Sequence, residues 1–566
     1  MDYIKEICTL ISSRTSLAED QVKDLVEVPK DLDKGDYSMP CFKLAKEMRK
    51  APQMIASEIR DAIISDLPEC FEKVEVVGAY LNFFLSKLSF TTSTISEVLS
   101  DPEGYGSSTM GEGKNVVIDY SSINIAKPFH IGHLSTTVIG NSLYKIFNYL
   151  GYNSIGVNHL GDWGTQFGKL ISAYKRWGDR ETVEKGSIHA LLELYVRFHE
   201  EAKKDPALDD EGRYYFKKIE DGDPEAMELF EWFKELTLKE VQKIYDLLDV
   251  HFDSYAGESF YNDKMQPVID ELEEKGLLKD SDGAKVVDLE DYGMPPCLII
   301  KSDGATLYAT RDLACAFYRK KTYDFYKNLY VVAYQQDLHF RQLFKVIELM
   351  GYEWAKDMEH IKFGMVSMTG GSLSTRSGRV IFLEDVLKQS IEKAQKIIEE
   401  KNPGLENKEE TAKDVGVGAL VYSTLSNSRI KDIVFDIDKI LNFDGETGPY
   451  VQYSYARANS VLRKAPDLDG VESDYKALDN AQSYQLAKLL ADFPGVVIDA
   501  AEKYEPFFIT RHVTLIAQAF NKFYYDIRII DDDPGATKAR LELVEATAAV
   551  IKIGLGLLGI HAPERM

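Results

Sequence analysis

The 566-residue chain reads as an α/β protein built on a parallel sheet, preceded by an α+β segment and followed by an all-helical bundle. Three observations predict this. Short apolar runs alternate with amphipathic helical spacing through the middle of the chain, as βα units require. The first hundred or so residues mix helical spacing with a β-rich stretch, and beyond 399–413 nearly every apolar pattern has helical period. The length exceeds what one hydrophobic core usually supports, so two to four domains are expected.

In chain order, Ile4, Ile7 and Ile11, then Val22 and Leu25, repeat with helical spacing, and 74–77 and 80–85 are β-rich. Gly111-Glu112-Gly113 breaks the chain and sets a boundary at 112, so that 1–112 forms a first domain. The stretch 115–120 has the apolar character of a buried strand. A helix follows with Leu134, Val138, Leu143, Ile146 and Leu150 as its apolar residues. Further runs at 298–300 and 329–333, each followed by helical pattern, are assigned to the same parallel sheet. Residues from about 180 to 290 are Glu/Lys-rich and mostly helical, as an insertion would be. The second domain therefore spans 113–398. The charged, Pro-Gly-containing stretch 399–413 reads as a surface connection opening a helical third domain, 399–566.

Hydrophobic content of 45% and charged content of 28% are those of an ordinary soluble protein. No run of about 18 apolar residues appears, and the N-terminus lacks the basic-then-apolar pattern of a signal peptide, so a cytoplasmic location is expected. Five cysteines, Cys8, Cys41, Cys70, Cys297 and Cys315, are scattered without a C-x-x-C pair. This argues against both a disulfide framework and a structural zinc site. A net charge of −25 alone would speak against nucleic-acid binding, but 67 basic residues suffice for a local positive face.

A strand running through a loop into a helix start is the usual α/β place to bind phosphate. Here that junction carries Ser121-Ser122-Ile123-Asn124-Ile125-Ala126-Lys127-Pro128-Phe129-His130-Ile131-Gly132-His133. Two imidazoles three residues apart at a helix start can point together at a triphosphate, and Gly132 between them leaves room for an adenine ring. An isolated H-x-x-H would more often be surface or packing; Lys127, the Pro128 turn and the strand-to-helix position change that reading.

These residues resemble the HIGH signature of class I aminoacyl-tRNA synthetases, in the N-x-A-K-P-x-H-x-G-H form of the arginyl enzymes. The block Asn158-His159-Leu160-Gly161-Asp162-Trp163-Gly164-Thr165-Gln166-Phe167-Gly168 is similar to another stretch of that family. The resemblance implies a Rossmann-like catalytic domain, ATP with Mg²⁺ as substrate complex, and Lys127, His130 and His133 as catalytic residues. ATP contacts are expected from these three with Gly132. The second class I signature, K-M-S-K-S, is represented by Ser372-Leu373-Ser374-Thr375-Arg376-Ser377-Gly378, where both lysines are missing. By resemblance Lys127 substitutes for them, with Ser374 and Arg376 as further ATP contacts.

A guanidinium is planar, permanently charged and rich in donors, so a selective pocket needs carboxylates and oriented acceptors. Asp119 ends the first strand, and Tyr308 and Asp312 share one helical face at i, i+4. The stretch Tyr308-Ala309-Thr310-Arg311-Asp312 resembles the family's arginine-pocket helix. Motif matching then implies that Asp119, Asn124, Tyr308, Asp312 and Gln336 contact arginine.

Aromatic and basic residues interleave on the C-terminal helices, where they could stack on unpaired bases, although such aromatics are more often core. This region resembles the family's anticodon-binding domain, with Tyr450, Tyr453 and Arg457 as tRNA contacts. The N-terminal segment, through 35–38 and 80–85, resembles the family's extra domain that contacts the tRNA elbow. The implied partners are tRNA-Arg, L-arginine and ATP, for a monomer. Two other readings stay open: an adenylate-forming enzyme for another amino acid, and a catalytically silent relative that binds RNA or a protein.

Overall fold

The computed structural model describes residues 3–29, 34–125, 129–368 and 381–566. The candidate residues Lys127, Ser374 and Arg376 lie outside them. Two compact units emerge: Met1–Tyr105 with Arg457–Phe493 and Leu515–Ile551, and Gly106–Ala456 with Pro494–Thr514 and Lys552–Met566.

In the first unit a three-stranded antiparallel sheet runs in the order Tyr37–Pro40, Tyr80–Leu85, Phe71–Val77. Its central hairpin turns at Gly78, where φ is +62°, a conformation that favours glycine. Helices Tyr3–Arg14 and Pro52–Ile63 place Ile7, Ile11, Ile55 and Ile59 in one core with Leu81 and Phe83. The amphipathic spacing read for the first residues is thus one face of a real helix.

The second unit contains the parallel sheet, ordered Met358–His360, Lys327–Tyr330, Asn115–Asp119, Asn153–Val157. Val116, Val117 and Ile118 are all fully buried, as in a strand covered on both faces. Val117 and Val157 share a core with Leu313, Leu343, Val346 and Ile347 from helices Tyr308–Tyr323 and Asp337–Leu349. Helix Leu134–Tyr149 packs so closely that a Cβ on Gly140 would stand 2.2 Å from the Cβ of Tyr120.

The apolar run 298–300 does not join the parallel sheet. It lies in Cys297–Ile300, the edge of an antiparallel sheet with Ala284–Val287 and Leu278–Ser281. Asp282 and Gly283, with φ of +49° and +82°, make the two-residue hairpin turn that starts this sheet. Cys297 and Ile299 are buried while Leu298 is exposed, a period of two that three apolar letters conceal. Preceding it, the inserted stretch is helical over Arg180–Ala202, Ala207–Glu220 and Pro224–Leu248.

The C-terminal stretch is helical over Lys408–Leu425, Gly448–Arg463, Ala481–Glu502, Phe507–Asp526 and Pro534–Leu557. All five cysteines are buried, and among the described residues none forms a disulfide. Among the described residues no helix is long and apolar enough to cross a membrane.

Candidate active site at the carboxyl ends of the parallel strands

The strand Asn115–Asp119 ends in two consecutive left-handed residues, Ser121 (φ +67°) and Ser122 (φ +40°). Such conformations cost on the order of 1–3 kcal/mol each and persist only where surrounding bonds impose them. Here Ser121 N–H donates to Thr136 Oγ1 (3.0 Å), and Thr137 Oγ1 donates to Ser121 Oγ (2.9 Å). Ser122 Oγ donates to Asp119 Oδ1 at 2.6 Å and accepts from His159 N–H at 3.3 Å. The strained turn swings 123–125 alongside the 158–162 block. Gly161 N–H donates to Ile123 O, and Ile125 N–H to Gly161 O. A Cβ at Gly161 would come within 2.5 Å of Asn124 Oδ1, so the two segments meet only because this residue is glycine. Asn124 itself is exposed at the site.

The His130–His133 turn is a short 3-10 segment that leads directly into helix Leu134–Tyr149. The rings lie 3.9 Å apart, and His133 stacks on Phe129 at 5.3 Å and 4°. Nδ1 of His133 accepts from His130 N–H, and Nδ1 of His130 accepts from Gly132 N–H, both at 3.1 Å. A ring nitrogen that accepts has no proton, so each neutral imidazole carries its N–H on Nε2. The turn is also stitched to residues 381–383, which follow the Ser374 and Arg376 stretch. Ile131 N–H donates to Ile381 O, and Leu383 N–H to Phe129 O.

Asp312 lies on helix Tyr308–Tyr323 with Nε2 of His339 2.7 Å from Oδ2 and Nε2 of His159 3.8 Å from Oδ1. Burial works against charge on Asp312, but His339, His159 and Arg319 hold it below the ordinary carboxylate value. Burial equally disfavours an imidazolium at His159. Cys315, Asp119 and Asp312 overcome this and push it up to about 9. Tyr308 is exposed, with its ring 4.8 Å from that of His339. Gln336 is exposed in the turn that opens the His339 helix. Asp119 is engaged internally: Arg319, fully buried, donates to its Oδ2 at 2.7 Å while Ser122 occupies Oδ1.

The structure therefore brings His159, Tyr308, Asp312 and His339 together, and it sets Asp119 beneath them with Arg319. Sequence reasoning assigned no role to His159, His339 or Arg319. His159 lies inside the 158–168 stretch, His339 follows Gln336 by three residues, and Arg319 follows Asp312 by seven residues on the same helical face, which is the signal that could have found it.

Asp162 and Trp163, quoted for their resemblance, are anchors. Asp162 is fully buried and accepts from Lys234 (2.7 Å), Ser259 N–H and Ser259 Oγ (both 2.8 Å). Trp163 packs edge-on against Phe216 and Phe230 of the inserted helices. Tyr450 and Tyr453 sit one turn apart on helix Gly448–Arg463, Tyr453 exposed. Arg457 reaches Asn521 and lies 5.1 Å from the centre of the Tyr524 ring. Among the described residues no three His, Cys, Asp or Glu side chains are grouped to hold a metal ion.

This arrangement has counterparts in known proteins. Residues 94–437 match the family model for tRNA synthetases class I (R), catalytic domain; 451–566 match the DALR anticodon binding domain; and 2–85 match the arginyl tRNA synthetase N terminal domain. The arginine–tRNA ligase of Clostridium botulinum (strain Okra / Type B1) is 56% identical over 567 residues, covering 100% of both chains. That of Alkaliphilus metalliredigens (strain QYMF) is 54% identical, again over 100% of both. The solved Thermus thermophilus arginyl-tRNA synthetase has a TM-score of 0.80 at 26% identity, covering 100% of this chain and 99% of that one. The Plasmodium falciparum arginyl-tRNA synthetase, at 24% identity and TM-score 0.75 over 100% and 99%, shares the fold. The helix start with its paired histidines, the carboxylate between His159 and His339, and full-length identity above half place this chain in the arginyl-tRNA synthetase family of class I aminoacyl-tRNA synthetases.

Proposed function

We propose a division of labour for the arginine–tRNA ligase reaction that this family membership carries. The arginine carboxylate attacks the α-phosphate of ATP and releases diphosphate; the arginyl group then passes to the 3′ end of tRNA-Arg and AMP leaves. Asp312 receives the substrate guanidinium, with Tyr308 and Gln336 at its rim, Asn124 at the α-amino or carboxylate end, and Asp119 adding negative charge from below. The Nε2–H groups of His130 and His133 donate to phosphate oxygens as charge builds on them, and Gly132 lies against the adenine. Lys127, Ser374 and Arg376 complete the phosphate contacts, and Mg²⁺ enters with the triphosphate as part of the substrate. Tyr450, Tyr453 and Arg457 meet tRNA. The domains 1–112, 113–398 and 399–566 serve tRNA elbow contact, catalysis and anticodon binding in a cytoplasmic monomer.

The observation that carries this reading is the pairing, at one end of one sheet, of a two-histidine helix start with a carboxylate set between two further histidines. The test is aminoacylation of bulk tRNA with each amino acid in turn, together with pyrophosphate exchange with and without tRNA. Charging by arginine alone is expected, with exchange that depends on tRNA. Charging by a different amino acid, or none at all, would refute the assignment.

A further inference from the structure

Two imidazoles reach the Asp312 carboxylate from separate elements. His339 comes from helix Asp337–Leu349 and lies 2.7 Å from Oδ2; His159 comes from the loop after strand Asn153–Val157 and lies 3.8 Å from Oδ1. A guanidinium recognises a carboxylate through both oxygens at once. The histidines therefore occupy the directions from which substrate would bind.

We propose that His159 and His339 bracket Asp312 as a proton-bearing stand-in for the guanidinium, so that arginine expels a proton from this pair as it takes the carboxylate. The inference rests on the assignment of Asp312 to the arginine side chain.

The surrounding charges leave the imidazoles as the groups that respond. On the same helix Arg319 is committed to Asp119, and Arg311 faces Glu258 at 3.6 Å. In the 158–162 block Asp162 is bound to Lys234. The Tyr261 ring stands 5.5 Å from His159, the Cys315 thiol acts on His159, and Tyr308 covers His339. Guanidinium groups do not titrate in proteins, and histidine is the side chain whose charge ordinarily changes near neutrality. Its neighbours hold the His159 proton up to about 9, so the empty pocket carries it at pH 7. A substrate cation brought beside an imidazolium in a buried site repels it strongly. Proton and guanidinium exclude one another, and the proton departs to solvent. Net charge in the pocket is the same before and after. A neutral isostere such as citrulline supplies no cation to replace the proton, so it leaves the proton in place and binds without release.

The sign follows from linkage. Lowering the pH below about 9 fills the imidazole and competes with arginine; raising it toward 9 removes the competitor. His159 and His339 are thus positioning residues that set specificity, and their signature is a proton count.

Titration of the full chain, with tRNA present, by L-arginine in buffers of different ionisation enthalpy reads that count. Roughly one proton released per arginine at pH 7 is expected, none with citrulline, and an arginine KM that falls by up to about tenfold per pH unit between 7 and 8. His159→Gln and His339→Gln should reduce the release and flatten the KM profile. Arginine binding without proton release in the unmodified chain would overturn the inference and leave the pocket standing. Arginine binding unaffected by Asp312→Asn would instead defeat the pocket assignment itself.

Discussion

Two pairs of imidazoles serve this site in opposite ways. In the turn at 130–133 each Nδ1 accepts from the backbone, so the rings are neutral donors held within four consecutive residues at one helix start. Around Asp312 the rings come from two distant segments and face one carboxylate, which with Cys315 and Asp119 favours the charged form of His159. The same side chain is fixed as an Nε2–H donor where the main chain takes its Nδ1 lone pair, and faces a carboxylate where a half-buried acid stands beside it. The difference lies in what each ring faces.

Breaking the second pair at its centre has the largest expected effect. Asp312→Ala removes one partner of a half-buried, hydrogen-bonded charge set, a loss of about 2–5 kcal/mol at most. The value of kcat/KM for arginine should fall on the order of 10³-fold. ATP binding should be kept. Pyrophosphate exchange with tRNA present measures the first, and nucleotide titration the second. Unchanged arginine kinetics would remove the contrast between the pairs.

Breaking the first pair should act on the other kinetic constant. His133→Ala deletes one preorganised donor, and kcat should drop on the order of 10²–10³-fold, as losses of single oxyanion donors do. The arginine KM should stay near its original value. A rise in KM of similar size would mean that the turn binds the amino acid and does not sort from the Asp312 cluster.

A smaller change sharpens the comparison at its edge. Tyr308 is exposed and touches His339 only through its ring, a contact worth about 0.5–1.5 kcal/mol. Tyr308→Ala should raise the arginine KM about 2- to 10-fold with kcat preserved. Steady-state aminoacylation with varied arginine measures both.

How much of this could be read in advance differs between the two pairs for one physical reason. His130 and His133 are three residues apart, and a turn entering a helix is local, so their convergence was legible from the letters alone. Tyr308 and Asp312 were legible for the same reason, as neighbours on one helical face. Asp119 was legible as an acid at a strand end, but its commitment to Arg319, 200 positions away, depends on how that helix crosses the sheet. His159 lies in the 158–168 stretch and His339 three residues past Gln336, and neither position carries any sign of which acid it would meet. The run 298–300 shows the limit within secondary structure: three apolar residues fit either sheet, and the hairpin at Asp282-Gly283 decided between them.

The amino-acid order by itself determined the strand Asn115–Asp119, the helix after it, the histidine turn that joins them and the helical character of the C-terminal stretch, because each shows its apolar period or turn residues within a short stretch of chain. Only the tertiary structure decided which charges pair: Asp119 with Arg319, Asp162 with Lys234, and Asp312 with His159 and His339. Charge pairing in a buried site depends on distance through space and on desolvation, and neither is written in the spacing of residues along the chain.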